Sequence, residues 1–311
     1  MFGMSSKMSL KRLLRRLSGF RLGQFHAYAP RPIDAVVRES DPYESGLKFS
    51  LVTPVRNQAA FVRQTIESVL NQRLSPLEYI VMDGASTDGT AEIIAGYGDR
   101  LFHFESRKDE GQSDALNKGF TRASGDIMGW LNGDDVLLPG TLEYVARFFE
   151  ANPDVEVVYG DRIVIDADGR DIGRWMLPSH SNRILSWIDY VPQETLFWRR
   201  GLWERAGAYI DTSFHFAMDW ELLVRFRACG ARFRHLPRYL GGFRAHAAQK
   251  TSAQIDDVGI AEMNRIRARC LGFVPSPVAL RVATMPYVLR HIATVCRSRI
   301  FKRLVAKHGA A

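Results

Sequence analysis

Two adjacent carboxylates, Asp134 and Asp135, stand where a short apolar run ends in the stretch GDIMGWLNGDDVLLP, residues 125–139. Like charges side by side repel unless a cation or solvent compensates them. Carboxylates offered from a loop are hard oxygen ligands, of the kind that hold Mg2+ or Mn2+ against substrate phosphates. The plainer alternative is a solvated turn whose aspartates start a helix. Two further acids follow the same logic. Asp83 ends the apolar run Glu78-Tyr79-Ile80-Val81-Met82, and Asp219 opens a segment whose Leu222, Leu223 and Phe226 share one helical face, closed by Gly230.

The elements that must carry these residues are legible from hydrophobic period and turn chemistry. Phe49–Thr53 reads as a strand ended by Pro54, and a helix follows with Phe61, Ile66, Val69 and Leu70 buried. A second strand covers 78–82, and a helix near 91–95 is open to capping by Thr87 or Asp88. A third strand lies at 101–105, a third helix at 111–123, and Ile127–Leu131 is a buried strand. Four strand–helix alternations predict an α/β chain with a parallel, doubly wound sheet, whose ligand crevice lies at the carboxyl ends of the strands. Thr53, Asp83 and Asp134 all sit at such ends, so one fold-level rule gathers them into one cleft. After a helix at 141–150 the alternation breaks. Strands at 155–159, 163–165 and 172–176, the last two flanking an Asp166–Gly169 turn, predict a hairpin and a mixed sheet around an acceptor pocket.

Composition sets the bounds. The chain of 311 residues, 46% hydrophobic and 24% charged, is long enough for a sizeable core. Its net charge of +8 belongs to the ends: residues 1–23 hold six Lys/Arg and no acid, and residues 261–311 hold ten Lys/Arg against Glu262 alone. The body between is net acidic, which argues against a nucleic-acid cleft. Leu10, Leu13, Leu14 and Leu17 repeat at helical spacing opposite Lys11, Arg12, Arg15 and Arg16, a pattern fit for an anionic membrane surface or for a basic tail docked on the protein itself. Residues 24–46 read as an irregular linker. From Val278 a second basic, surface-seeking helix is expected, with Pro286 interrupting any longer one. Cys229, Cys270 and Cys296 show no metal or disulfide spacing. With no signal-peptide core and no span of about 18 apolar residues, the expectation is a cytoplasmic chain, peripheral on the inner face of the membrane.

Four segments in order, TPVRNQAAFVRQTIESVLNQ, EYIVMDGASTDGT, DEGQSDALNKGF and GDIMGWLNGDDVLLPG, resemble the inverting glycosyltransferases of family 2 over about residues 48–250. The resemblance implies a GT-A fold, a Rossmann-like nucleotide half merged with a mixed-sheet acceptor half. It divides the chain into a basic tail and linker at 1–46, the transferase domain at 47–255 and a basic helical extension at 256–311. It further implies a nucleotide-diphosphate sugar donor, UDP-linked in the usual pattern, a glycan or lipid-linked acceptor, and Mg2+ or Mn2+ as cofactor.

Residue by residue, the resemblance places Thr53, Pro54 and Asn57 on the rim that meets the nucleotide, and Asp83 on the base. Asp83 is followed by Gly84 where the family usually has a second acid, and the alternative is a carboxylate that caps the Ser86 or Thr87 amides. Asp114, Asn117 and Lys118 share a helical face toward donor sugar or phosphate, or toward solvent. Asn132 replaces the first acid of the DxD-like triplet and suits a ribose better than a cation. Asp134 is expected on metal and diphosphate, with Asp135 as second metal ligand or ribose contact and His246 on the metal or the diphosphate. Gln193, Glu194 and Glu221 are expected in the sugar or acceptor pocket, and Trp198 and Trp203 either stack on sugars or fill the core. Arg244 and His246 resemble a closing RxH element, and Lys250-Thr251-Ser252 a lid. Asp219 takes the place of the general base, or else caps its helix. A non-catalytic nucleotide-sugar-binding protein of a polysaccharide pathway is the competing reading, and a nucleotidyltransferase is disfavoured because TPVRNQ lacks a Gly-rich phosphate loop.

Overall fold

The computed structural model describes residues 28–33, 41–246 and 258–308, with side chains to residue 297. The amphipathic stretch at 7–20 and Lys250-Thr251-Ser252 lie outside the described residues. Strand β1 (Tyr43–Val55) pairs in parallel with β2 (Leu74–Asp83) and with β4 (Ile127–Trp130), and β2 with β3 (His103–Ser106). Val52 lies opposite both Ile80 and Trp130, so the carboxyl ends of β1, β2 and β4 open on one edge. Beyond β4 the sheet turns mixed, as the broken alternation implied. β8 (Phe197–Arg199) runs antiparallel to β4 and to β6 (Val157–Ile165). β6 is parallel to β9 (Phe233–Arg244), which pairs antiparallel with the short β5 (Val136–Leu137). β7 (Asp171–Trp175) completes the expected hairpin on β6.

Strand period two and helix period 3.6 divide the core into two layers. On one face α1 (Val62–Leu70), α2 (Thr90–Ala95) and α4 (Thr141–Ala151) bury Val62, Ile66, Ile94, Val145 and Phe149 against Leu51, Tyr79 and Val81. On the other, α3 (Gln112–Phe120), the short α5 (Asn182–Leu185), α6 (Arg200–Arg205) and α7 (Met218–Ala228) pack with Val52, Ile80, Trp130 and Trp220. Trp198 and Trp203 belong to this core, the Trp198 ring 5.6 Å from that of Trp130. β1 starts at Tyr43, inside the stretch read as linker, because Tyr43 Oη and Ser45 Oγ donate to the Glu150 carboxylate at 2.7 and 2.6 Å and tie the chain to α4.

Two helices follow, α8 (Ile260–Leu271) and α9 (Pro277–His308). The expected interruption at Pro286 does not occur: α9 runs through it. The proline deprives the Val282 carbonyl of its helical donor, and Val282 is 68% exposed, so water replaces that donor at small cost. Thr284, Tyr287 and His291 hold one face of α9 on the body, with the Tyr287 and Tyr190 rings 4.8 Å apart.

Candidate active site

At the carboxyl ends of β1 and β4 lies a cavity of about 690 Å3. Pro54, Asn132, Asp134, Asp135, Gln193, Glu194 and Asp219, expected on separate grounds, all line it. Arg162, Trp175 and Asp189, which carried no signal in the sequence, line it too.

The NGDD loop is held from beneath. Thr65, buried in α1, donates to the carbonyls of Gly133 and Asp135 at 2.9 and 2.8 Å, and Ser68 Oγ accepts the Leu137 N–H. Gly133 must be glycine, since a Cβ there would sit 2.7 Å from Val55 Cγ2. Arg244 clamps the loop from β9: its Nε donates to the Asp134 carbonyl at 2.7 Å, its backbone N–H to Asp135 Oδ1 at 2.9 Å, and its guanidinium also to the carbonyls of Asp166 and Ala167. Arg244 thus braces backbone from a fully buried position and does not reach toward the cavity. Asn132 accepts from Gln112 Nε2 and donates to Asp135 Oδ2.

These contacts divide the two aspartates. Asp135 is buried with both oxygens engaged, and burial, then the neighbouring Asp134 and Glu194 carboxylates, push its pKa well above the ordinary range. Its two oxygens tie the loop to Asn132 and to β9. Asp134 keeps a partly open carboxylate, with His246 Nε2 at 3.0 Å from Oδ2 and the His246 ring 4.7 Å from Phe61. Among the described residues no three His, Cys, Asp or Glu side chains converge on a metal position. The donors present, one carboxylate and one imidazole, fit a Mg2+ or Mn2+ whose remaining shell comes from water and phosphate oxygens.

Asp219, on the first turn of α7, lines the same cavity. Asp219 is not the N-cap residue, which is Ala217, but its Oδ1 accepts the Trp220 N–H at 2.8 Å within the first turn. The cap comes from α8, where the Glu262 carboxylate accepts the N–H groups of His215, Phe216 and Ala217 at 2.7, 2.8 and 2.9 Å. Glu194 on the cavity floor pairs with Arg162 at 2.8 Å, and burial raises its pKa despite that cation. Burial, then the charge of Asp219, pushes Asp189 well up.

Several expected site residues do not line this cavity. Thr53 is on the sheet face opposite Pro54 and pairs with the Tyr79 hydroxyl at 3.0 Å. Asn57 spends its side-chain oxygen on the Thr87 N–H, fastening the ends of β1 and β2 together. Asp83 is buried and accepts from Ser86 and Ser106, the capping alternative, beside a small adjoining cleft that shares Asp109 and Ala115 with the main cavity. Lys118 borders that cleft and pairs with Asp114 at 2.7 Å, while Asn117 bonds both backbone groups of Ile210. Neither Asp114 nor Asn117 lines the main cavity. Glu221 is buried between Arg225 and Arg269, away from the pocket expected for it. Asp88 stands one residue before the N-cap residue, Gly89, and its carboxylate accepts the N–H groups of Thr90 and Ala59.

A parallel nucleotide-type half continuous with a mixed-sheet half, sharing one acidic cavity at the strand ends, defines the GT-A class of glycosyltransferase fold. The TarS protein of S. aureus, solved as residues 1–349 with UDP-GlcNAc, shares it at a TM-score of 0.60 and 18% identity, over 79% of this chain and 73% of that one. The mannosyltransferase PcManGT of Pyrobaculum calidifontis, solved with GDP-Man and Mn2+, shares it at 0.52 and 19% identity, over 95% and 85%. The Glycosyl transferase family 2 profile matches residues 50–233, and the chain belongs to that family. It is 31% identical over 182 residues to a PGL/p-HBAD biosynthesis glycosyltransferase of Mycobacterium tuberculosis, covering 57% of this chain and 68% of that protein. It is 29% identical over 208 residues to the O-antigen biosynthesis protein RfbC of Myxococcus xanthus, covering 65% of this chain but only 16% of that protein.

Proposed function

We propose that this glycosyltransferase moves a sugar from a nucleoside-diphosphate donor to a hydroxyl of a glycan or lipid-linked acceptor, with inversion, in a surface-polysaccharide or glycolipid pathway. The observation that carries the reading is that Asp134 and Asp219, distant in sequence, both line one cavity at the strand ends. Asp219 takes the proton of the attacking hydroxyl as that oxygen bonds to the anomeric carbon, and the bond from that carbon to the diphosphate oxygen breaks on the opposite face. Asp134, with His246, would hold a Mg2+ or Mn2+, which stabilises charge on the departing diphosphate. Pro54, Asn132 and the loop beneath them support the nucleotide end; Gln193 and Glu194 support the sugar. Uridine as the base rests on the family resemblance.

The test is release of nucleoside diphosphate from a panel of nucleotide sugars, with and without Mn2+. Asp219→Asn is expected to lower the rate by 10²–10⁴-fold, the range for loss of a general base, with donor binding retained. Asp134→Asn is expected to weaken donor binding and abolish its Mn2+ dependence. An Asp219→Asn protein as active as wild type sinks the assignment of the base.

Peripheral contact with an anionic membrane is part of the proposal. No helix among the described residues is long and apolar enough to cross a bilayer. Val278, Val282, Met285 and Leu289 nevertheless make an exposed stripe on α9, at 67, 68, 45 and 56% exposure, with Arg281 and Arg290 beside it. Such a face suits the headgroup boundary. Sedimentation with phosphatidylglycerol vesicles should fall in Val282→Glu/Leu289→Glu; equal binding by that variant refutes this contact.

A further inference from the structure

Six buried polar atoms with no hydrogen-bond partner among the described residues belong to residues that line the cavity: Trp130 Nε1, Trp175 Nε1 and Arg162 Nε, and Asp189 Oδ1, Gln193 Oε1 and Glu194 Oε1. Three are donors and three acceptors. Each such atom is costly to bury alone, so a ligand that pairs with it recovers that cost on binding. The groups are linked: Gln193 Nε2 donates to the Trp130 carbonyl at 2.8 Å, Arg162 pairs with Glu194, and the Arg162 guanidinium stands 5.0 Å from the Trp175 ring centre. Glu194 and Arg162 also lie close enough to Asp135 for their charges to act on it, which joins this wall to the diphosphate end.

A hydroxyl both donates and accepts, and so serves a mixed set of this kind. A carboxylate in place of one of those hydroxyl groups can only accept, so it serves no acceptor at its position, and it would add a negative charge beside Asp189, Glu194 and Asp219. We propose that this wall holds the glycosyl group of the donor as an uncharged, hydroxyl-bearing ring, that Asp189 is one of its hydroxyl ligands, and that the site selects against uronic acid sugars. The inference rests on the donor-cleft reading above. The raised pKa of Asp189 and Glu194, set first by burial, agrees with it, because surroundings that disfavour a protein carboxylate disfavour one on the ligand as well.

Binding is measured by calorimetry for UDP, GDP, UDP-glucose, UDP-N-acetylglucosamine, GDP-mannose and UDP-glucuronate, all with Mn2+. The expected result is that the tightest neutral donor binds on the order of 100-fold more tightly than UDP-glucuronate, the scale of one like-charge juxtaposition. Asp189→Ala should weaken the neutral donor about tenfold, one hydrogen bond's worth, and leave the sugar-free nucleotide unchanged; Asp189→Asn, which keeps the acceptor oxygen, should recover most of the loss. Equal binding of UDP-glucuronate overturns the selectivity. Loss of sugar-free nucleotide binding in step with the donor, or no loss at all in Asp189→Ala, overturns the role of Asp189. Failure of every nucleotide to bind the wild-type protein overturns the donor cleft itself, a result distinct from the others.

Discussion

The reach of Asp219 into the cavity depends on a residue outside its own helix. Glu262 on α8 accepts three consecutive N–H groups ahead of α7, those of His215, Phe216 and Ala217, at 2.7 to 2.9 Å. Glu262 is 7% exposed and Ala217 1%, so deletion of the carboxylate leaves donors with little access to water. A hydrogen bond to a charged group contributes roughly 1.5–3 kcal/mol, and three sharing one carboxylate are not additive. Glu262→Ala should therefore cost about 3 kcal/mol, and Glu262→Gln, which keeps one acceptor oxygen, about half of that. For a body of this size, about 3 kcal/mol corresponds to a fall in Tm of roughly 6–12 °C. Because Asp219 sits only two residues beyond Ala217, the rate of nucleoside diphosphate release should drop well below what unfolding alone removes, with donor affinity kept. Thermal melts and steady-state rates at 20 °C on both variants measure the two effects separately. An unchanged Tm refutes the cap, and a lowered Tm with an unchanged rate refutes its link to Asp219.

Thr65→Val, nearly isosteric, strips the donor shared by the Gly133 and Asp135 carbonyls; a loss of about 1–3 kcal/mol in urea unfolding and weaker Mn2+-dependent donor binding are expected. Gly133→Ala should cost about 1–3 kcal/mol through the 2.7 Å approach to Val55, and Val55→Ala in the same chain should return part of it, as a double-mutant cycle of urea midpoints would show. Burial alone would raise the pKa of Glu78, but hydrogen bonds from Ser124, Ser50 and Lys48 outweigh it and bring it from 4.5 to about 2. A carboxyl depressed on folding stabilises above its ordinary pKa, so roughly 3 kcal/mol of stability present at pH 7 should fade between pH 4.5 and 2, and Glu78→Gln should flatten that slope in acid titrations of unfolding.

Local period and turn chemistry were enough to place the strands that matter. The run ending at Leu131 had to stop where Asn132-Gly133 stands, and that stop presents Asp134 at a strand end. Which of the expected residues line the cavity follows from the same rules. Side chains alternate along a strand, so Thr53 and Pro54 were never both candidates for one cleft; Pro54 faces the cavity and Thr53 faces Tyr79. On a helix, neighbours two apart diverge by about 200°, so Glu221 points away from the wall that Asp219 reaches and meets Arg225 and Arg269 instead. Asp114 and Lys118, four apart, had a local use for their charges in each other.

What stayed hidden is of another kind. Gln64 and Arg244 are 180 positions apart, Thr65 and Asp135 are 70, and Glu262 and Ala217 are 45, and in each case one partner is a residue type that has many ordinary uses. No window of sequence holds both members, so neither hydrophobic period nor motif spacing can report them. The same holds for Asp189, which sits in a plain apolar stretch, Trp187–Val191, and meets Arg162 of β6 and Asp219 of α7 only in the fold. Ligands on the rim are thus written in short motifs, while the groups that aim them are written in pairs across the chain. Glu262 is the clearest case: it is the lone acid among ten cations in residues 261–311, an oddity of composition whose physical reason is that α8 caps the helix bearing Asp219. The helix α8 thus holds the turn that leads to Asp219, and a chain cut before it should lose the placement of Asp219 even if the sheet still forms.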